Sequence, residues 1–119
     1  MLLNIKLLKK SFRQAILGLK KVLATQQNFR IQVVAALIVV ALALVLKINL
    51  NELALLIIII ALVLILELIN TAFERIVDIL KPRIHIYAEN IKDILAGAVF
   101  LASALAIIVG LLIFLPYLF

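Results

Sequence analysis

The 119-residue chain contains no cysteine and no tryptophan, and has one histidine, two prolines and three glycines. Without cysteine there is no disulfide framework, no thiolate metal site and no cysteine nucleophile. A single imidazole, His85, cannot build a histidine metal cluster. So little proline and glycine excludes collagen-like and linker-like chains. Acid is scarce as well: six carboxylates stand against twelve Lys and Arg, and the first of them is Glu52. Neither Gly-x-x-x-x-Gly-Lys-[Ser/Thr] nor Gly-x-Gly-x-x-Gly occurs, so no familiar phosphate loop supports nucleotide binding.

What the chain does contain is hydrocarbon. Apolar residues make up 68% and the mean hydropathy is +1.36, where a soluble domain carries roughly 45–50% apolar residues. Val33–Leu46 and Leu53–Leu66 are fourteen-residue runs without a polar side chain, and the twenty-two residues Ile94–Leu115 are interrupted only by Ser103. A hydrocarbon core of about 30 Å needs about 20 helical residues. The third run spans alone, and the first two recruit Phe29–Gln32 and Glu67–Phe73. A lipid environment admits only helices or closed barrels, and these runs lack a period of two. The expected fold is therefore an all-α membrane protein of one domain, residues 1–119. It comprises an N-terminal amphipathic surface helix over about 5–28 and three spanning helices over about 29–47, 53–80 and 90–116. Asn49 with Glu52 is a helix-start pair for the second span, Lys81-Pro82-Arg83 breaks the helix after it, and Asn90 is a candidate cap for the third.

Charge sets the orientation. Lys6, Lys9, Lys10, Arg13, Lys20, Lys21 and Arg30 precede the first span, and Arg75, Lys81, Arg83 and Lys92 fall in the second connection. With three spans these two regions share a side, leaving only Lys47 opposite. The positive-inside rule makes that side cytoplasmic, which puts the N-terminus in the cytoplasm and the C-terminus outside. The basic excess is thus a membrane-flank feature, and no nucleic-acid partner is expected. Leu8, Phe12, Ala15, Ile16, Leu19 and Leu23 recur at three- and four-residue steps, with lysines and Arg13 elsewhere on the wheel. That is a basic amphipathic helix suited to an anionic leaflet, either as a simple anchor or as a holder of substrate.

The residues a membrane should reject lie in Glu67-Leu-Ile-Asn-Thr-Ala-Phe-Glu-Arg-Ile-Val-Asp78. At helical spacing Glu67, Glu74 and Asp78 fall within about 40° of one another and Asn70 about 60° away. An acid at mid-span costs roughly 2.5–3.5 kcal/mol, somewhat less near the interface, and so asks for an explanation. Pairing with a lysine that only fixes packing is one. The other is chemical: a carboxylate at headgroup depth takes a proton from a lipid hydroxyl, while an acid about 10 Å further along the axis holds a divalent metal with phosphates. Arg83, His85, Lys92 and Asp93 form a second charged group on the same side. Ala98, Ala102, Ala106 and Gly110 let helices approach closely in the third span. Three helices shield these acids poorly, which points to a homo-oligomer sharing its sites between chains.

The pattern Glu67-x-x-Asn70-Thr-Ala-Phe-Glu74-x-x-x-Asp78, followed by Ile91-Lys92-Asp93-Ile-Leu-Ala-Gly-Ala98, resembles the prokaryotic diacylglycerol kinase family, which includes the bacterial undecaprenol kinases. The resemblance runs from about Ser11 to Pro116, through Ser11-Phe-x-x-Ala15-x-x-Gly18, Asn28-Phe29-Arg30 and Gly110-Leu-Leu-Ile-Phe-Leu-Pro116. It implies a homotrimer in the bacterial cytoplasmic membrane that phosphorylates a lipid alcohol, undecaprenol or diacylglycerol, with ATP and Mg2+. The Phe-Leu-Pro ending leans toward undecaprenol. By position Glu67 resembles the general base and Asn70 its supporting amide, with Glu74 a metal ligand. Gln14, Gln26, Glu74, Arg83, Ile84, His85, Lys92 and Asp93 match nucleotide-contacting positions. Ser11, Phe12, Phe29, Arg30, Glu67 and Ala96 match the lipid site. One departure is Gln26, at the position where the family usually has a second metal-binding Glu; it keeps a carbonyl ligand but loses a charge, which weakens a hard cation and puts full activity in question. The competing reading is a small ion or proton channel, or a holin-like pore lined by the same acids.

Overall fold

A computed structural model describes residues 2–80 and 86–119, and among the described residues there are four helical segments. They are α1 (Ile5–Thr25) and α2 (Gln27–Val45), then α3 (Leu50–Leu80) and α4 (Ile86–Leu118). The last three are long and apolar enough to cross a membrane, so the chain is a multi-pass membrane protein. The expected break at Lys81-Pro82-Arg83 lies outside the described residues. Asn90 does not cap a helix: α4 is already under way at Ile86.

Each remaining boundary has a local cause. Asn4 opens α1, its side chain accepting from the Leu7 N–H at 3.2 Å. The helix ends at Thr25, earlier than periodicity suggests, because Gln26 adopts an extended backbone (φ −111°, ψ 110°) between two helices. Arg30 then satisfies carbonyls that the end of α1 leaves open, donating to Leu23 at 3.1 Å and Ala24 at 2.8 Å. Arg75 of α3 donates to Thr25 Oγ1 at 3.0 Å, so two arginines hold the end of α1.

At its other end α2 closes in a Schellman turn. Lys47 takes a left-handed conformation (φ 55°), its N–H reaching Leu44 O and the Ile48 N–H reaching Ala43 O at 3.2 Å. Ala43 and Ile48 are both buried, the apolar contact that accompanies this turn. Asn49 starts α3 by accepting from the Glu52 N–H at 2.9 Å, and its amide donates to Glu52 Oε1 at 2.7 Å.

Tyr117, near the end of α4, donates its hydroxyl to Glu52 Oε1 at 2.5 Å and accepts from the Asn49 N–H at 3.3 Å. Residues 68 apart in sequence therefore meet, and α4 returns antiparallel along α3 with its end level with the start of α3. An apolar cluster of Ala43, Ile48, Leu56, Ile59, Ile113 and Phe114 packs this end of the bundle.

Helix length then places the polar residues. With 19 residues α2 covers about 28 Å, while α3 with 31 residues covers about 46 Å. The α2–α3 connection is short, so α3 and its partner α4 overhang the start of α2 by roughly 18 Å. Glu67 and Asn70 sit where the overhang begins; Glu74, Asp78, Lys92 and Asp93 lie on the overhang itself. The molecule extends 55 × 46 × 26 Å. No residue of α1 is buried along its length.

Candidate functional site

The site is built around a carboxylate that the apolar surroundings do not explain. Glu67 is 3% exposed, and its neighbours Asn70 (7%) and Thr71 (2%) are also buried. The Thr71 hydroxyl donates to the Glu67 backbone carbonyl at 2.9 Å, which satisfies it without touching the acid. Among the described residues Glu67 makes no lysine pair. Its partner is an amide, the Gln32 side chain of α2, whose Nε2 donates to Glu67 Oε2 at 3.3 Å. Glu67 Oε1 makes no hydrogen bond among the described residues. A buried carboxylate with a single neutral donor carries a desolvation cost that its packing does not repay.

One turn along, Asn70 Nδ2 donates to Glu74 Oε1 at 3.3 Å. The face read from the sequence is thus assembled: Glu67, Asn70 and Glu74 follow one another along α3, with amides bonded to both acids. Two buried carbonyl oxygens beside them, Gln32 Oε1 and Asn70 Oδ1, have no hydrogen-bond partner among the described residues. Buried acceptors of this kind are rare and mark a place where something further donates or coordinates.

Glu74, the Asn70 carbonyl and the Gln32 carbonyl are hard oxygen donors, the chemistry that Mg2+ prefers. Among the described residues, no group of three His, Cys, Asp or Glu is close enough to hold a metal by itself. The donor set therefore fits an ion held mainly by phosphates and water, with Glu74 as its carboxylate, and does not fit an all-protein cage. Gln26 is half-buried at the α1–α2 joint, and its side chain makes no capping hydrogen bond.

The overhang carries the second group. Lys92 bonds Asp78 at 2.6 Å, joining α4 to α3, and Asp93 is exposed beside it. Arg83, Ile84 and His85 lie outside the described residues. Ser11, Phe12 and Gln14 are exposed on α1, and the side chains of Ser11 and Gln14 make no hydrogen bond among the described residues. The structure turns the Arg30 guanidinium to the end of α1, buries the Phe29 ring at 6% exposure inside the chain, and leaves Ala96 exposed on α4.

Between α2, α3 and α4 runs an apolar groove of about 390 Å³, open toward the surroundings and lined by Gln32, Val39, Val63, Ser103, Gly110 and Phe114 among others. Gln32 is both a wall of this groove and the partner of Glu67, so the groove adjoins the acid. Sequence reading missed Gln32 altogether. The available signal was its place on the inward stripe Phe29, Gln32, Val33, Ala36, Val39, Ala43, where it is the single polar side chain.

Fold and site together define a small helical membrane protein with a partly buried acid–amide–acid face near one end of its spans. Residues 13–114 match the family model for prokaryotic diacylglycerol kinase. The chain is 36% identical over 107 residues to the undecaprenol kinase of Bacillus subtilis (strain 168), an alignment covering 90% of this chain and 87% of that one. It is 42% identical over 107 residues to the diacylglycerol kinase of Synechocystis sp., covering 89% of this chain and 61% of that longer one. The chain belongs to the prokaryotic diacylglycerol kinase family.

Proposed function

We propose that the protein is a lipid kinase of the bacterial cytoplasmic membrane that transfers the γ-phosphoryl group of ATP to a lipid alcohol. The observation that carries this is the buried Glu67 carboxylate, with one oxygen held by Gln32 and the other open, at the head of an apolar groove. Membership of a family whose relatives are named kinases favours this reading over a channel or a holin-like pore.

In this reading the hydrocarbon of the acceptor occupies the apolar groove and the adjoining face of α1. This presents the hydroxyl to Glu67 at the depth where the spans end. Glu67 takes the hydroxyl proton as the alcohol oxygen bonds to the γ-phosphorus; the bond from that phosphorus to the β,γ-bridging oxygen breaks, and its electron pair leaves with ADP. Asn70 holds Glu74, and Glu74 with Gln26 would hold a magnesium ion, whose charge would offset that of the phosphates. Lys92 exchanges Asp78 for phosphate oxygens, and Asp93, Gln14, Arg83, Ile84 and His85 complete the nucleotide site.

Two further assignments belong to the same proposal. The acceptor is undecaprenol, supported by the near full-length match to an undecaprenol kinase. The working unit is a homotrimer with the N-terminus in the cytoplasm. The basic residues flanking the spans on one side support that orientation, and the exposure of Ser11, Phe12 and Gln14 within one chain supports their service to a neighbour's site.

Transfer of labelled γ-phosphate from ATP to undecaprenol and to diacylglycerol, in detergent–lipid micelles over a range of magnesium, tests this. Transfer to undecaprenol in preference supports the reading in full, and preference for diacylglycerol overturns the acceptor assignment. Activity only in Gln26→Glu shows a kinase scaffold limited at one metal ligand. Silence in both overturns the kinase.

A further inference from the structure

We infer that Gln32 is the positioning residue of the acid: its amide fixes which Glu67 oxygen faces the acceptor hydroxyl. The inference rests on the kinase reading for its consequence in turnover, and on geometry alone for the contact.

The inward stripe of α2 is apolar except at Gln32. A leucine there would pack the groove wall without leaving a polar atom behind, whereas the glutamine leaves its own Oε1 buried and unpartnered. A side chain that is itself left half-satisfied is poorly chosen for packing. Its Nε2 reaches Glu67 Oε2 at 3.3 Å and is the sole hydrogen-bond donor on that carboxylate among the described residues. Backbone constraint backs the contact on both sides. Phe29, one turn earlier on α2, is buried, and Thr71 ties the α3 backbone at Glu67. With the two helices held, the amide pins Oε2 and leaves Oε1 directed to a substrate. Without it, the carboxylate rotates freely about its terminal torsion, whose wells are broad.

The experiment compares the full chain with Gln32→Met, which keeps length and volume but removes the donor, in detergent–lipid micelles. The first readout is the rate at which dicyclohexylcarbodiimide labels Glu67, located by mass spectrometry with Glu67→Gln as blank. This reagent attacks carboxyl groups in apolar surroundings, and a carboxyl held in a hydrogen bond reacts more slowly than a released one. Gln32→Met should label about tenfold faster, the worth of one hydrogen bond to a charged group. The second readout is kinetic: kcat falls by about ten- to a hundredfold, as misplacement of a reacting group predicts, with KM for ATP unchanged. In a Glu67→Gln background the same substitution causes no further loss.

Unchanged labelling overturns the inference, as does a loss of kcat that Gln32→Met repeats in the Glu67→Gln background. Gln32→Leu, also free of donors, stands in should Gln32→Met unfold. If neither the native chain nor Gln26→Glu transfers phosphate, the kinase reading fails, and the labelling rates still decide whether Gln32 holds Glu67.

Discussion

Lys92 places its ammonium 2.6 Å from the carboxylate of Asp78, fourteen residues back along the chain, and so joins α4 to α3 on the part of the bundle that overhangs α2. Asp78 is 60% exposed and Lys92 27%. An ion pair this open to water contributes little to stability, so the ammonium can change partners at small cost. Lys92→Met should therefore lower kcat/KM for ATP by about a hundredfold while leaving the unfolding temperature nearly unchanged. A substantial fall in unfolding temperature, with kcat/KM retained, would show that the pair is structural.

Glu67→Gln keeps the shape of the side chain and a group that still meets Gln32, but has no basic oxygen for a proton. Turnover should fall by about 10²–10⁴-fold, the range for a lost general base. Nucleotide affinity, read by equilibrium binding, should persist, since the proposed phosphate site is at Glu74 and Lys92.

Magnesium dependence tests the two oxygen ligands proposed for the metal, Glu74 and Gln26. Glu74→Ala should remove activity or raise the magnesium concentration for half-maximal rate, and Gln26→Glu should lower it by restoring a charge beside a hard cation. A titration of rate against magnesium at fixed ATP checks both. An unchanged curve for Glu74→Ala would remove Glu74 from the metal.

Lys47 holds a left-handed backbone (φ 55°) at the position of the α2 turn where glycine is preferred. A side chain there costs roughly 1–2 kcal/mol, part of which the greater freedom of glycine in the unfolded chain gives back. Lys47→Gly should raise the unfolding temperature in detergent without altering KM for either substrate.

Arg30 supports the end of α1 through Leu23 and Ala24. Arg30→Met should leave α2 in place and loosen the surface helix, seen as faster hydrogen exchange at amides 22–26 with those of α2 unaffected. If instead exchange rises throughout α2, Arg30 serves the span and not the joint.

The sequence by itself determined the class, the number of spans and the polar face, for one reason: each depends on spacing along a single helix. Apolar run lengths set against the thickness of a bilayer define the three spans. The 100° step brings Glu67, Asn70 and Glu74 to one side whatever packs beside them, and the structure links Asn70 to Glu74 accordingly. The Asn49–Glu52 start of α3 was legible for the same reason, since a cap is satisfied within four residues.

Only the tertiary structure decided the contacts between helices. The sequence offers lysines in abundance to pair with Glu67, yet the acid meets Gln32, because depth and not charge governs which α2 residue lies opposite. The return of Tyr117 to Asn49 sets α4 level with α3 and so brings Lys92 to Asp78. The early end of α1 at Thr25, where Gln26 turns extended, is held by arginines on two other helices. Such pairings depend on the vertical register of separate helices, which side-chain periodicity leaves undetermined, because a helix shifted one turn against its neighbour presents the same face.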